Sequence, residues 1–223
     1  GQMERRTHLQ RACILSLLAL LFLAVAFGVA YGTGGLGAQG RFEVFSDPAQ
    51  YTAALREAAQ VLRWALGIDD LFILAYVGAI GFAALAFLYE SPAAAATAGI
   101  GALVLGALDF WENGVMGASL DMALAGVGID ADRIAYQVSI STAKWNAAAA
   151  ALVALTFAIP CERAFEIVLV WTTRLVFPVA TALFLSGALD LRFEAAIAIL
   201  VAKAFGLLLL AFVTYGRSRD GFR

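Results

Sequence analysis

The chain has 223 residues and a formal net charge of −2; it is 62% hydrophobic and only 14% charged. Water-soluble domains carry about 45–50% apolar and about 25% charged residues. The mean hydropathy of +0.85 therefore argues against a soluble globule and for an all-α integral membrane protein forming one bundle. The charge is near neutral and no basic patch is interleaved with aromatics, so the lipid bilayer, not a nucleic acid, is the expected partner.

Gly1-Gln2 precedes Met3 and is set aside as a vector remnant. Residues 1–11 form a tail with Arg5, Arg6 and Arg11, followed by an uncharged apolar run from Ala12 to Ala30. That run can cross a core of about 30 Å and exceeds the apolar stretch of a signal peptide, so it predicts a first span over 12–30. Residues 31–68 predict an outer loop. It opens on a glycine-rich link, with Gly32, Gly34, Gly35, Gly37 and Gly40, and holds an amphipathic helix over 48–66. Asp47 serves as its N-cap, Pro48 as N1 and Gln50 as a box partner. Tyr51, Leu55, Ala58, Leu62 and Leu66 recur at helical spacing, which places this helix on the membrane surface as a lid or a gate, with Trp64 at the interface.

Asp69-Asp70 is expected to cap a second span over 71–89, where Gly78 and Gly81 would allow close helix approach. A third span covers 93–113, with Gly99, Gly101, Ala102 and Gly106 again small. Residues 114–133 carry Asp121, Asp130 and Asp132, which predicts an outer loop or half-helix. Further spans are expected over 134–159, over 165–187 with Arg174 and Pro178 inside, and over 193–215 with Lys203 near the middle. Residues 216–223 form a second tail with Arg217, Arg219 and Arg223. The expectation is thus a bundle of six transmembrane helices plus one amphipathic interfacial helix. Arginines in both tails place both termini in the cytoplasm of a bacterial inner-membrane protein.

Asp109, Glu112 and Asn113 close the third span at i, i+3, i+4, so their side chains share one helical face. Acids there are costly beside lipid and need an offset. Lys144 on the fourth span reaches a similar depth and can extend its stem outward. Gln137, Ser141 and Lys144 form a polar stripe at i, i+4, i+7, and Asp69 and Asp70 enter from the same side. This cluster suits the binding or conduction of an ion, a proton or a small polar ligand. The alternative is a purely structural fastening of helices in an accessory subunit that meets a membrane partner, or its own copies, through Gly/Ala-rich faces. Arg174 and Lys203 lie near the bilayer centre with no acid at matching depth, which suggests an anion or lipid-headgroup site between the fifth and sixth spans.

Val168 to Pro178, VLVWTTRLVFP, together with Ala202-Lys203-Ala204-Phe205-Gly206, resembles the last two helices of microbial rhodopsins. The resemblance implies a retinal pocket lined by the Trp and the aromatic-Pro pair, with Lys203 forming the Schiff base. It covers about a fifth of the chain. The chain departs from that pattern at Ile199, where an acid is expected, in its third span, which lacks the Arg-x-x-x-Trp with acids, and in having six spans, not seven.

The single histidine, His8, argues against bis-histidine haem and zinc hydrolase centres. Cys13 and Cys161 are expected unpaired near the cytoplasmic side. No G-x-S-x-G, H-E-x-x-H, P-loop or strand-borne G-x-G-x-x-G occurs. No catalytic residue, metal or cofactor is therefore assigned, although Asp109 or Glu112 could serve as a base if buried.

Overall fold

The computed structural model describes residues 1–34, 37 and 39–220; Gly35 of the glycine link and Arg223 of the second tail lie outside the described residues. Among the described residues there are seven α-helices and no strand: α1 (Gln2–Gly32), α2 (Pro48–Glu57), α3 (Ala59–Ala86), α4 (Pro92–Leu124), α5 (Ala131–Ala158), α6 (Ala164–Ser186) and α7 (Arg192–Ser218). All except α2 are long and apolar enough to cross a membrane. The protein is an all-α, six-span membrane protein.

The six long helices pack as a ring. α3, α4, α5, α6 and α7 each lie against the next, and α1 closes the circle by packing on both α7 and α3. Successive spans run in opposite directions. The chain termini, the α3–α4 turn and the α5–α6 turn share one end, here the terminal side. The 33–58 segment, the α4–α5 turn and the α6–α7 turn share the other, the loop side. The terminal side is tied by Arg5 to Glu90 (2.6 Å), Arg163 to Asp220 (2.7 Å) and Arg217 to Glu166 (2.6 Å).

Close approach falls on particular glycines. A Cβ at Gly101 of α4 would lie 2.8 Å from the Ala151 Cβ of α5; one at Gly106 would lie 2.6 Å from Val77 Cγ2, and one at Gly78 would lie 2.7 Å from Leu15 Cδ1. Gly81 has nothing within 4 Å and Gly99 makes only an ordinary 3.7 Å contact. These two do not create the close approach expected of them.

The loop side differs from the sequence expectation in three ways. The amphipathic segment is not one helix over 48–66. α2 is capped as expected, with the Asp47 carboxylate accepting from the amides of Ala49 and Gln50 (3.0 and 3.1 Å). It ends at Ala58, however, and Ala59 to Leu66 forms the first turns of α3. Asp69 and Asp70 consequently do not cap a helix: they lie inside α3 and their carboxylates accept from a side chain of α4.

Third, residues 114–124 continue α4 without a break. At 1.5 Å per residue α4 is about 50 Å long, so its last turns stand clear of a 30 Å core. They are held by a second small core, in which Met116, Leu120 and Ala123 pack with Phe42, Tyr51, Leu55, Leu62 and Ile134. The charge at Asp121 is met by Arg63 (2.6 Å), and Arg56 Nε donates to the Ala123 carbonyl (2.7 Å), satisfying the helix end. Gly126 at φ 86° then turns the chain, and the Asp130 carboxylate caps α5 by accepting from the Arg133 amide (2.8 Å).

Candidate functional site

The Lys144 ammonium sits among three carboxylates. It donates to Glu43 Oε1 (3.2 Å), lies 3.3 Å from Asp109 Oδ1, and pairs with Glu112. Lys144 and Glu43 are buried, and Glu112 is fully so. Helix geometry supplies much of this set. One face of α4 carries Asp109, Glu112 and Asn113, and the facing stripe of α5 carries Gln137, Ser141 and Lys144. All six are buried.

Burying a charge is tolerable when it is paired and its remaining donors and acceptors are satisfied, and here the acids are satisfied. The Ser141 hydroxyl reaches Glu112 and also the Gln137 carbonyl (3.1 Å). Tyr76 donates its phenol proton to Asp109 Oδ2 (2.8 Å), and the Trp145 indole donates to Glu43 Oε2 (2.6 Å). The Asn113 amide donates to Asp69 Oδ2 (2.9 Å) and Asp70 Oδ1 (3.0 Å). Gln39 donates to Asp69 and to Asn113 Oδ1, both at 3.3 Å. Gln137 stands apart: neither of its amide atoms has a hydrogen-bond partner among the described residues. Behind the cluster, outside the spans, burial and the negative charge of Glu112 hold the Tyr51 phenol above its ordinary value, while Arg133 pulls the other way.

Glu43, Tyr76, Gln39 and Trp145 were not assigned to the cluster from sequence. Glu43 follows the glycine link, on a 3-10 turn (Gly40–Phe42) whose Phe42 is buried edge-on against Tyr51 at 5.2 Å. On either side of that anchor Gln39 and Glu43 reach the cluster. One signal for Glu43 is present in the sequence: it is a lone acid between apolar residues in Arg41-Phe42-Glu43-Val44-Phe45. Tyr76 lies seven residues after Asp69, hence on the same face of α3.

The cluster forms one wall of a cavity of about 780 Å³ inside the helix ring, within the usual range for small-molecule sites. Glu43, Asp69, Tyr76, Asp109, Lys144 and Trp145 line its polar end. The rest of the wall is mainly apolar, with Phe72, Phe177, Phe184, Leu155 and Leu209 among its residues. On α7 the lining runs from Phe193 to Leu210, about 25 Å at 1.5 Å per residue. The chamber is therefore elongated along the ring axis.

Lys203 and Arg174 are not brought together. The Lys203 ammonium lines the chamber and lies over the rings of Trp145 (5.4 Å) and Phe72 (5.7 Å). The Arg174 guanidinium donates to Thr156 Oγ1 (2.9 Å) and the Thr156 carbonyl (3.2 Å), and covers Phe157 at 4.0 Å. Trp145 and Thr156 are three turns of α5 apart, so the two cations sit at different depths. Of the residues that carry the rhodopsin resemblance, Thr172, Thr173, Phe177, Lys203, Phe205 and Gly206 line the chamber, as does Ile199, whereas Trp171 is half exposed on the outside of the ring. No protein-family model, curated protein or solved structure matches the chain.

Proposed function

We propose that this membrane protein binds a small molecule inside its ring of helices, with the Lys144-centred cluster as the polar wall of the site. The observation that carries this reading is the chamber itself. Six spans surround a volume of about 780 Å³, and Glu43, Asp69, Asp109, Glu112, Lys144 and Lys203 face it or pair across its wall. Ionisable groups within spans are expensive and mark functional sites by default. Binding is favoured over conduction of an ion or proton because each carboxylate is already held by Lys144, Tyr76, Trp145 or Asn113. The orientation follows the basic residues: Arg5, Arg6, Arg11, Arg163, Arg217 and Arg219 gather on the terminal side, which favours that side as cytoplasmic in a bacterial inner membrane.

The test is native mass spectrometry of the protein extracted in a mild detergent, beside Ala148→Phe, which projects a ring into the chamber from its wall. The parent is expected to carry an additional small-molecule mass that the variant loses while melting no lower. A bare parent, with the variant indistinguishable from it, would overturn this reading in favour of a structural subunit that meets other proteins through its small-residue faces.

A further inference from the structure

We propose that the chamber takes a long-chain amphiphile with an anionic head, a carboxylate or a phosphate monoester, whose head meets the Lys203 ammonium; this rests on the chamber being a ligand site. The shape gives the chain. The wall is mainly apolar, and from the level of Trp145 it runs along α5 to Ile159, about 21 Å at 1.5 Å per residue, which suits an extended hydrocarbon.

The charges give the head. Every acid on the wall has its donors: Glu43 has Lys144 and Trp145, Asp109 has Lys144 and Tyr76, and Asp69 has Gln39 and Asn113. The bases on the wall are Arg41, Lys144, Arg192 and Lys203, against Glu43, Asp69 and Asp109 on the wall and Glu112 paired with Lys144 behind it. Among the described residues only Lys144 of these four bases makes an ion pair. Arg192 lies against the Gly187 backbone at the loop-side mouth. Lys203 is deeper: among the described residues it makes no hydrogen bond or ion pair, lies over the faces of Trp145 and Phe72, and has the Asp69 carboxylate within electrostatic reach. A cation over ring faces with no hydrogen-bonded acceptor keeps its donors free, and an anionic oxygen is the complement those donors lack. With the head there, the chain extends towards the terminal side past Leu207 and Leu210 and along the α5 lining through Leu152 and Leu155 to Ile159.

Trp145 reports on this place directly. The chain has four tryptophans, and Trp64, Trp111 and Trp171 are each more than half exposed. Replacing those three with Phe leaves Trp145 as the only emitter. The protein in lipid nanodiscs is titrated with oleate, oleyl phosphate, oleyl alcohol and oleylamine while Trp145 emission is followed. The expected result is a saturable change with one or both anions at a concentration at least about tenfold below that needed for the alcohol or the amine. The tighter of the two anions identifies the head as carboxylate or phosphate. Lys203→Gln should abolish the preference and Lys203→Arg should keep it. Equal responses to all four probes, a preference for the amine, or a Lys203→Gln protein that still selects the anions would overturn the anionic head and leave the chamber reading standing. No response to any probe would overturn both. Should Lys203→Gln fail to fold, the four-probe comparison on the Lys203 protein still decides.

Discussion

An ammonium surrounded by three carboxylates inside a bundle is held by Coulomb attraction that must offset its own desolvation. Lys144 meets that condition because Glu43, Asp109 and Glu112 converge on it from three separate segments. Removing it leaves three buried acids facing one another without a counter-charge. Lys144→Met should therefore lower stability by about 3–5 kcal/mol, read as a fall in melting temperature in detergent. Glu112→Gln should cost less, since Lys144 retains two carboxylates. The double variant should be more stable than the sum of the two losses, with a coupling of about 0.5–3 kcal/mol. Additive losses would show that Lys144 and Glu112 do not act as a pair. Asp109, Glu112, Asn113 and Lys144 were legible in the sequence because helical spacing places them on facing stripes. Glu43 was not, because the link that carries it has no period: its position depends on Phe42 finding a place against Tyr51.

Helix ends, by contrast with helix existence, were poorly legible. Apolar runs identify six spans, because a run of that length has few other fates. They do not reveal that α4 continues through Gly114 to Leu124, because those turns are stabilised by partners distant in sequence: Arg56 and Arg63, and the buried Tyr51 and Leu62. Likewise Asp69-Asp70 has the composition of a cap but lies two turns or more inside α3, where its oxygens serve Asn113. Small residues were equally ambiguous between contact and open surface. Gly101→Ala places a methyl 2.8 Å from Ala151 Cβ and 3.2 Å from its Cα, neither of which can rotate away. It should destabilise by about 1–3 kcal/mol through separation of α4 and α5. Gly81→Ala, with nothing within 4 Å, should leave the melting temperature unchanged or raise it. Equal effects at the two sites would mean that the α4–α5 contact is not the tight one.

A ring that closes by bringing α1 against α7 joins the two ends of the chain, and no local pattern encodes that closure. The chamber is its consequence, so it was invisible in the sequence, although many of its lining residues were read singly as span interior or interfacial aromatics. The same closure turns a row of ion pairs that might only fasten helices into a wall with a volume beside it. A binding role requires that volume to be occupied in the membrane. The most direct measurement is an electron cryomicroscopy map of the protein in lipid nanodiscs, resolved well enough to separate the side chains around Trp145. Elongated density is expected along the ring axis, with one end at Lys203 and the other near Ile159. A ring drawn inward so that Trp145, Phe177 and Phe184 fill the space themselves, with no density between them, would contradict a binding role.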